Sequence, residues 1–433
     1  MTVRERLERL TGERPTEGKQ ASRQKEIDEL RRRIDRIMSR RPDGRRTSSP
    51  LYAGEPVELH EVVSGDISEN EYGQFFLARS VTDGSTRHGD RCVREVISMD
   101  MRAAAFLAKD HTLAQCDCTD GLFLDTETTG LAGGSGTFAF LIGVGWFEGE
   151  SFITAQIFAR DFSEERACLA FLQEVARGKE FLVTFNGKAF DVNLLSARFI
   201  MNRFHNPLVE LPHIDLIHPS RRLLGHRLDN SRLVTLEQQV LGLTRRGDVP
   251  GSEIPQRYFD WLRRHDGRLM KDVFTHNCLD VISMATLAYH LSELLKSVPD
   301  MENSDHRDLL AAARLFADRR HWQRAYGVLG SLRYSTDSAI AREAGKLLSL
   351  FYKRAGRWDE AVEIWEKIIE VEPLDIFAAE ELAKWCEHRQ RDFERALCIV
   401  SRVLECSRAA TSAERAALVY RCTRLRRRLG MVP

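Results

Sequence analysis

An apolar run leading straight into two acidic residues constrains this chain more than any other feature: Gly121-Leu122-Phe123-Leu124-Asp125-Thr126-Glu127. Side chains alternate faces along a strand, so a strand here projects Asp125 and Glu127 from the same face. Two neighbouring carboxylates at the end of a buried strand repel each other and are costly to desolvate. A hard divalent cation such as Mg²⁺ or Mn²⁺, held by oxygen ligands, relieves both costs. A solvent-facing turn would accommodate a bare Asp-x-Glu equally well, so the reading depends on further carboxylates at matching positions.

The elements that follow supply them. The strand over 121–127 gives way to the turn Ala132-Gly133-Gly134-Ser135-Gly136 and an apolar strand over 137–147. Glu148-Gly149-Glu150 then signals a hairpin into a third strand, 151–158. Ser163-Glu164-Glu165 opens a helix to about residue 177, Phe181 to Phe185 reads as a short buried strand, and a further helix starts near Ala189. Three antiparallel strands, a crossover helix, another strand and another helix resemble the element order of a ribonuclease H-like fold. The glycine turn is no phosphate-cradling P-loop, because it lacks the Gly-Lys-Ser/Thr ending and sits between strands.

Asp191 falls in the first turn of the helix after the fourth strand, within Asn186-Gly187-Lys188-Ala189-Phe190-Asp191. The helix dipole alone could account for a carboxylate there. The strand-to-helix junction also brings it beside Asp125 and Glu127, with Asn186 and Lys188 on the same loop able to hold a sugar or phosphate. A long helix is expected from about Arg268 to Lys296. On it His276, Asp280, Met284, Leu287, Leu291 and Leu294 form one stripe at helical spacing. The apolar lower part of the stripe faces the core, so His276 and Asp280 should point toward the sheet.

Asp125-Thr126-Glu127-Thr128-Thr129-Gly130-Leu131, Asn186 to Asp191, and His276 with Asp280 together resemble the four-carboxylate (DEDD) 3′–5′ exonucleases of the ribonuclease H-like superfamily. More narrowly the chain is similar to the YprB-type branch, in which such a domain can be joined to tetratricopeptide repeats. The resemblance covers roughly 121–295 well and 51–120 more loosely. It implies a mixed five-stranded sheet with helices, and two Mg²⁺ or Mn²⁺ ions held by Asp125, Glu127, Asp191 and Asp280. It further implies His276 as the group that orients or deprotonates the attacking water, and Thr128, Asn186 and Lys188 at the substrate. Two ions about 3.5–4 Å apart would clamp the attacking and leaving oxygens of a phosphodiester. His276 stands four residues before Asp280, the spacing of tyrosine-bearing members; histidine-bearing members place it five before. One residue is a rotation of roughly 100° on a helix.

At 433 residues, two or three domains are expected. Residues 1–50 read as a basic amphipathic helix and linker, 51–300 as the ribonuclease H-like domain with its core over about 121–296, and 306–433 as helical repeats. Basic and acidic residues balance at 64 each, so no global field draws the chain to nucleic acid or membrane and such binding must be local. Arg221-Arg222, Arg227 and Arg245-Arg246 offer a local basic surface for a nucleic-acid backbone. Nine scattered cysteines fit a reducing cytoplasm, and no apolar stretch approaches membrane-spanning length. His205, His213, His218 and His226 read as polar loop residues rather than ligands, and 51–115 as turn-rich and β-leaning, with segments such as Tyr72–Val81 and Cys92–Ser98.

Toward the C-terminus, Trp322 to Ala325, Trp358 to Ala361 and Phe393 to Ala396 recur at intervals of 36 and 35 residues. An aromatic followed three later by alanine, opening a second helix, resembles the tetratricopeptide repeat, whose period is about 34 residues. Three such pairs imply a concave, protein-binding solenoid. The resemblance to the four-carboxylate exonucleases implies exonucleolytic release of nucleoside 5′-monophosphates from a single-stranded DNA or RNA 3′ end. A non-cutting nucleic-acid adaptor acting through its repeats, and an endonuclease on the same fold, are the other classes these residues allow.

Overall fold

A computed structural model of the chain describes residues 52, 54–130, 136–295, 302, 304–406 and 412–431. The expected N-terminal helix and linker, and most of the glycine turn after Leu131, lie outside the described residues. Residues 56–433 form one compact unit.

Strands β1 (Asp66–Asn70) and β2 (Gly73–Thr82) form a hairpin, and β3 (Arg87–His88) and β4 (Arg91–Cys92) a separate small ribbon. Strands β5 (Gly121–Thr128), β6 (Ala139–Glu148), β7 (Ser151–Phe158), β8 (Phe181–Thr184) and β9 (His213–Asp215) complete the main sheet. Its order is β1-β2-β7-β6-β5-β8-β9, with β8 and β9 parallel to β5 and the other pairs antiparallel. The sheet thus has seven strands, not the expected five, because the β1–β2 hairpin adds to β7. The polar composition of β1, Asp-Ile-Ser-Glu-Asn, is that of a protected edge strand and carries little apolar signal.

Both faces of the central strands are covered, which explains their nearly continuous apolar sequence. Phe123 enters one core while Leu122 and Leu124 enter another. The helix Arg268–Glu293 packs on β5, β6 and β7, and the helix Glu165–Ala176 on β1, β2 and β7. The segment Cys92–Ser98 is not β structure beyond Cys92: Val93–Ser98 is a 3-10 helix, burying Val93 and Val96 at the three-residue spacing that aligns in such a turn.

After the long helix come three antiparallel helix pairs: His306–Asp318 with Trp322–Leu332, Ser338–Arg354 with Trp358–Val371, and Ile376–Trp385 with Phe393–Cys406. A seventh helix, Ser412–Arg428, follows. The second helix of each pair opens at the recurring aromatic, and Ala325, Ala361 and Ala396 are fully buried where the helices touch. This helical region is fixed to the sheet region by Arg227 Nη2 on Asp308 Oδ2 at 2.7 Å and by Phe106 against Phe316 at 5.3 Å. Among the described residues no helix is long and apolar enough to cross a membrane.

Candidate active site

The core strand β5 ends by carrying Asp125 and Glu127 under the helix Arg268–Glu293. Asp125 lies opposite Gly143 of β6, and the pairing shifts register between Glu127 and Thr128. From the helix, Asn277 donates through Nδ2 to Asp125 Oδ2 at 2.9 Å, and its Oδ1 accepts from Gln156 at 2.9 Å. His276 Nε2 lies 3.7 Å from Glu127 Oε1 and 3.6 Å from Asp280 Oδ2. Despite the four-residue spacing, the imidazole therefore turns into the carboxylate cluster.

Asp191 opens the helix Asp191–Met201, as the sequence suggests, and accepts from the hydroxyl of Thr126 at 2.5 Å. Its loop is shaped by the buried carboxylate of Asp215. Asp215 Oδ1 accepts the backbone N–H of Asn186 at 2.7 Å and of Ile217 at 3.2 Å, and Oδ2 that of Lys188 at 3.0 Å. Asn186 adopts a left-handed conformation at φ 68°, one that asparagine tolerates. Lys188 is exposed on this loop, and Thr128 donates its hydroxyl to the Gly130 carbonyl at 2.9 Å.

Besides Asn277, the partners Arg245, Glu237 and Asp248 are not evident from the sequence. Arg245, expected at a basic surface, is 2% exposed: it forks onto the fully buried Glu237 and pairs with Asp280. Its Nη1 also meets Asp248 Oδ2 at 3.2 Å. Asp248 Oδ1 in turn lies 2.8 Å from His276 Nδ1. Arg227 likewise leaves the expected basic surface to pair with Asp308, whereas Arg221, Arg222 and Arg246 are exposed.

Burial, reinforced by the charges of Asp280 and Asp191, pushes the Asp125 carboxyl well above its ordinary range. Burial also raises Glu127, with Asp125 and Asp280 adding repulsion. For Asp191, burial lifts the value to about 6 against the opposing hydrogen bond from Thr126. Arg245 pays for its own burial, yet its bonds to Glu237 and the charge of Asp280 outweigh that and hold it more firmly protonated than usual. Crowded, desolvated carboxylates of this kind suit hard divalent cations. Among the described residues no three His, Cys, Asp or Glu side chains stand close enough to grip one ion as placed. The physical reason lies in the contacts above: Asp280 is turned to Arg245, and Asp191 to Thr126.

Of the other histidines expected in loops, His218 lies in the helix Ile217–Leu224 and His213 is not a loop residue either. It opens β9, bonds to the Thr184 hydroxyl at 2.8 Å, and is lowered to about 4 by burial and by Lys188.

Residues 122–292 match the family described as RNase_H superfamily. The chain thus carries a ribonuclease H superfamily domain, a class that points to a nucleic-acid hydrolase. It is also 34% identical over 311 residues to the uncharacterized protein YprB of Bacillus subtilis (strain 168), an alignment spanning 71% of this chain and 74% of that protein. The chain belongs to the YprB family.

Proposed function

We propose that this chain is a divalent-metal-dependent 3′–5′ exonuclease acting on single-stranded DNA or RNA. The observation that carries the reading is the convergence of β5, the 186–191 loop and the long helix, which gathers Asp125, Glu127, Asp191, His276 and Asp280. Mg²⁺ or Mn²⁺, when bound, would supply Lewis acidity to the phosphate and lower the pKa of the attacking water. Asp125, Glu127, Asp191 and Asp280 are the residues that would hold the two ions. His276 Nε2 faces the cluster and would take the proton from water, while Asp248 fixes the ring through Nδ1. Thr128, Asn186 and Lys188 border the place where the scissile nucleotide would lie. The helical pairs are read as tetratricopeptide-like, with a protein partner on their concave face.

Digestion of 5′-labelled single-stranded DNA and RNA of equal sequence with Mn²⁺, beside Asp280→Asn, tests this. A ladder shortening from the 3′ end in the wild type alone is the expected result. Cutting of a circular strand would instead make the enzyme an endonuclease. One observation favours a non-cutting adaptor: Arg245 already neutralises Asp280. Binding without any cleavage would decide for that reading.

A further inference from the structure

A cleft of about 270 Å³ opens beside the 186–191 loop, where the sheet region meets the first helix of the helical region. Lys109, Lys188, His218, Arg222 and Arg319 line it, with Asp215 the one lining carboxylate. Both Asp215 oxygens are already committed to backbone amides. Asp110 and Asp318 lie near the lysine and arginine ends respectively. Among the described residues, none of Lys109, Lys188, Arg222 and Arg319 is ion-paired at contact distance to a carboxylate.

Arg319 is the telling residue. Its guanidinium packs over Phe106 at 4.5 Å, and Nη2 donates to the Leu107 carbonyl at 3.2 Å. Nε and Nη1 are buried with no partner. Burial and the neighbouring charge of Arg222 both work against its protonation. A buried guanidinium that is incompletely paired carries a desolvation cost that the charge of an anion held in the cleft beside it would offset. The cleft also borders, through Lys188, the loop that carries Asp191. Lys188 stands three residues before Asp191, and the charge of Asp215 acts on Asp191.

We infer that this cleft binds the phosphate backbone of the single strand whose 3′ end enters the carboxylate site, so that the helical region supplies part of the substrate path. The inference rests on the nuclease reading above, but it is tested by binding rather than by cleavage. The seam is a suitable platform, because Arg227 pairs with the buried Asp308 across it and His226 Nε2 lies 3.0 Å from Asp308 Oδ1.

The test is fluorescence anisotropy of a 5′-labelled single-stranded oligonucleotide with the full chain in EDTA, over a series of salt concentrations. Arg222→Gln combined with Arg319→Gln removes two phosphate contacts. It should weaken binding at least tenfold at low salt and flatten the log K against log salt slope by roughly 1.4, at about 0.7 per contact. Because Arg319 helps hold the seam, Lys109→Asn with Arg222→Gln, both exposed positions, provides a second variant with the same expectation. Unchanged affinity and slope in both variants would overturn the inference. So would full competition by inorganic phosphate with an unchanged slope, which would make the cleft a small-anion site. Hydrolysis of bis(p-nitrophenyl) phosphate by the wild type with Mn²⁺ reads the nuclease assignment separately. No hydrolysis with an altered binding slope removes the nuclease and keeps the cleft; hydrolysis with unaltered binding removes the cleft alone.

Discussion

Asp248 holds His276 by the ring nitrogen that faces away from the carboxylates: Oδ1 lies 2.8 Å from Nδ1, while Nε2 looks toward Glu127 and Asp280. A carboxylate on Nδ1 fixes the tautomer that leaves Nε2 free to accept a proton, as an outer partner does in other histidine sites. Asp248→Asn can bond in either sense and so no longer selects that tautomer. The expected result is a fall in kcat of about 10–100-fold with little change in KM. Steady-state kinetics on an oligonucleotide check it, and an unchanged kcat would remove His276 from the proton transfer.

Arg245 binds the same network from below. Removing one partner of a buried ion pair leaves the other charge uncompensated, which costs roughly 3–5 kcal/mol. Arg245→Gln strands Glu237, which is fully buried, and releases Asp280. Its melting temperature should fall well below that of the wild type. Because Asp280 is then free to meet a cation, Mn²⁺ should raise the variant's melting temperature more than the wild type's. An equal Mn²⁺ effect in both would mean that Arg245 does not compete with the ion.

The legible and illegible parts of this site divide by range. Asp125 and Glu127 share a strand, and His276 and Asp280 share a helix, so a period of two and a spacing of four reveal each pair. Asp191 follows from its place at a strand-to-helix junction. Glu237 opens the π turn Glu237–Leu241, and Arg245 and Asp248 lie in the irregular stretch before the helix Ile254–Arg264. No sequence period ties these three to β5 or to the long helix, and only the fold decides that Arg245 is buried. Asn277 sits between two residues the spacing selects, yet its bond to Asp125 depends on how closely the helix approaches β6. Tyr72–Val81 is legible as the strand β2, Gly73–Thr82, but β1 is not, for a related reason: this polar edge strand gains order from pairing rather than from apolar burial.

The carboxylate cluster sets stability against function. The Asp125 carboxyl has a folded-state pKa raised by burial and by Asp280 and Asp191. The folded state therefore holds that proton to a higher pH than the unfolded chain does. Stability falls as pH rises between the ordinary carboxylate value and the raised one, by up to about 1.4 kcal/mol per pH unit. Asp125→Asn removes the titration while leaving an oxygen to accept from Asn277. Without metal it should melt above the wild type at pH 7–8, with the gap closing as pH approaches 4. Stabilisation by Mn²⁺ and strand cleavage should both be lost. Differential scanning calorimetry across that pH range, with and without Mn²⁺, measures all three effects.

Gly143 sets how closely the long helix can approach the strand that carries the cluster. A Cβ at this position would overlap the side-chain oxygen of Asn277, the residue that donates to Asp125. Asn277 is also tied to Gln156, whose amide donates to the Phe274 carbonyl at 2.8 Å, so it has little room to move aside. Gly143→Ala should cost about 1–3 kcal/mol of stability through overpacking. It should also displace the groups that orient Asp125, and a shift near 1 Å at such a site costs on the order of 100-fold in rate. Gly145→Ala separates the two effects. Its added Cβ meets the apolar core residues Phe152 and Val281 rather than Asn277. That variant should lose comparable stability while keeping most of its activity at a temperature where both proteins are folded. Equal activity losses in the two variants would mean that the Asn277 contact contributes nothing beyond packing.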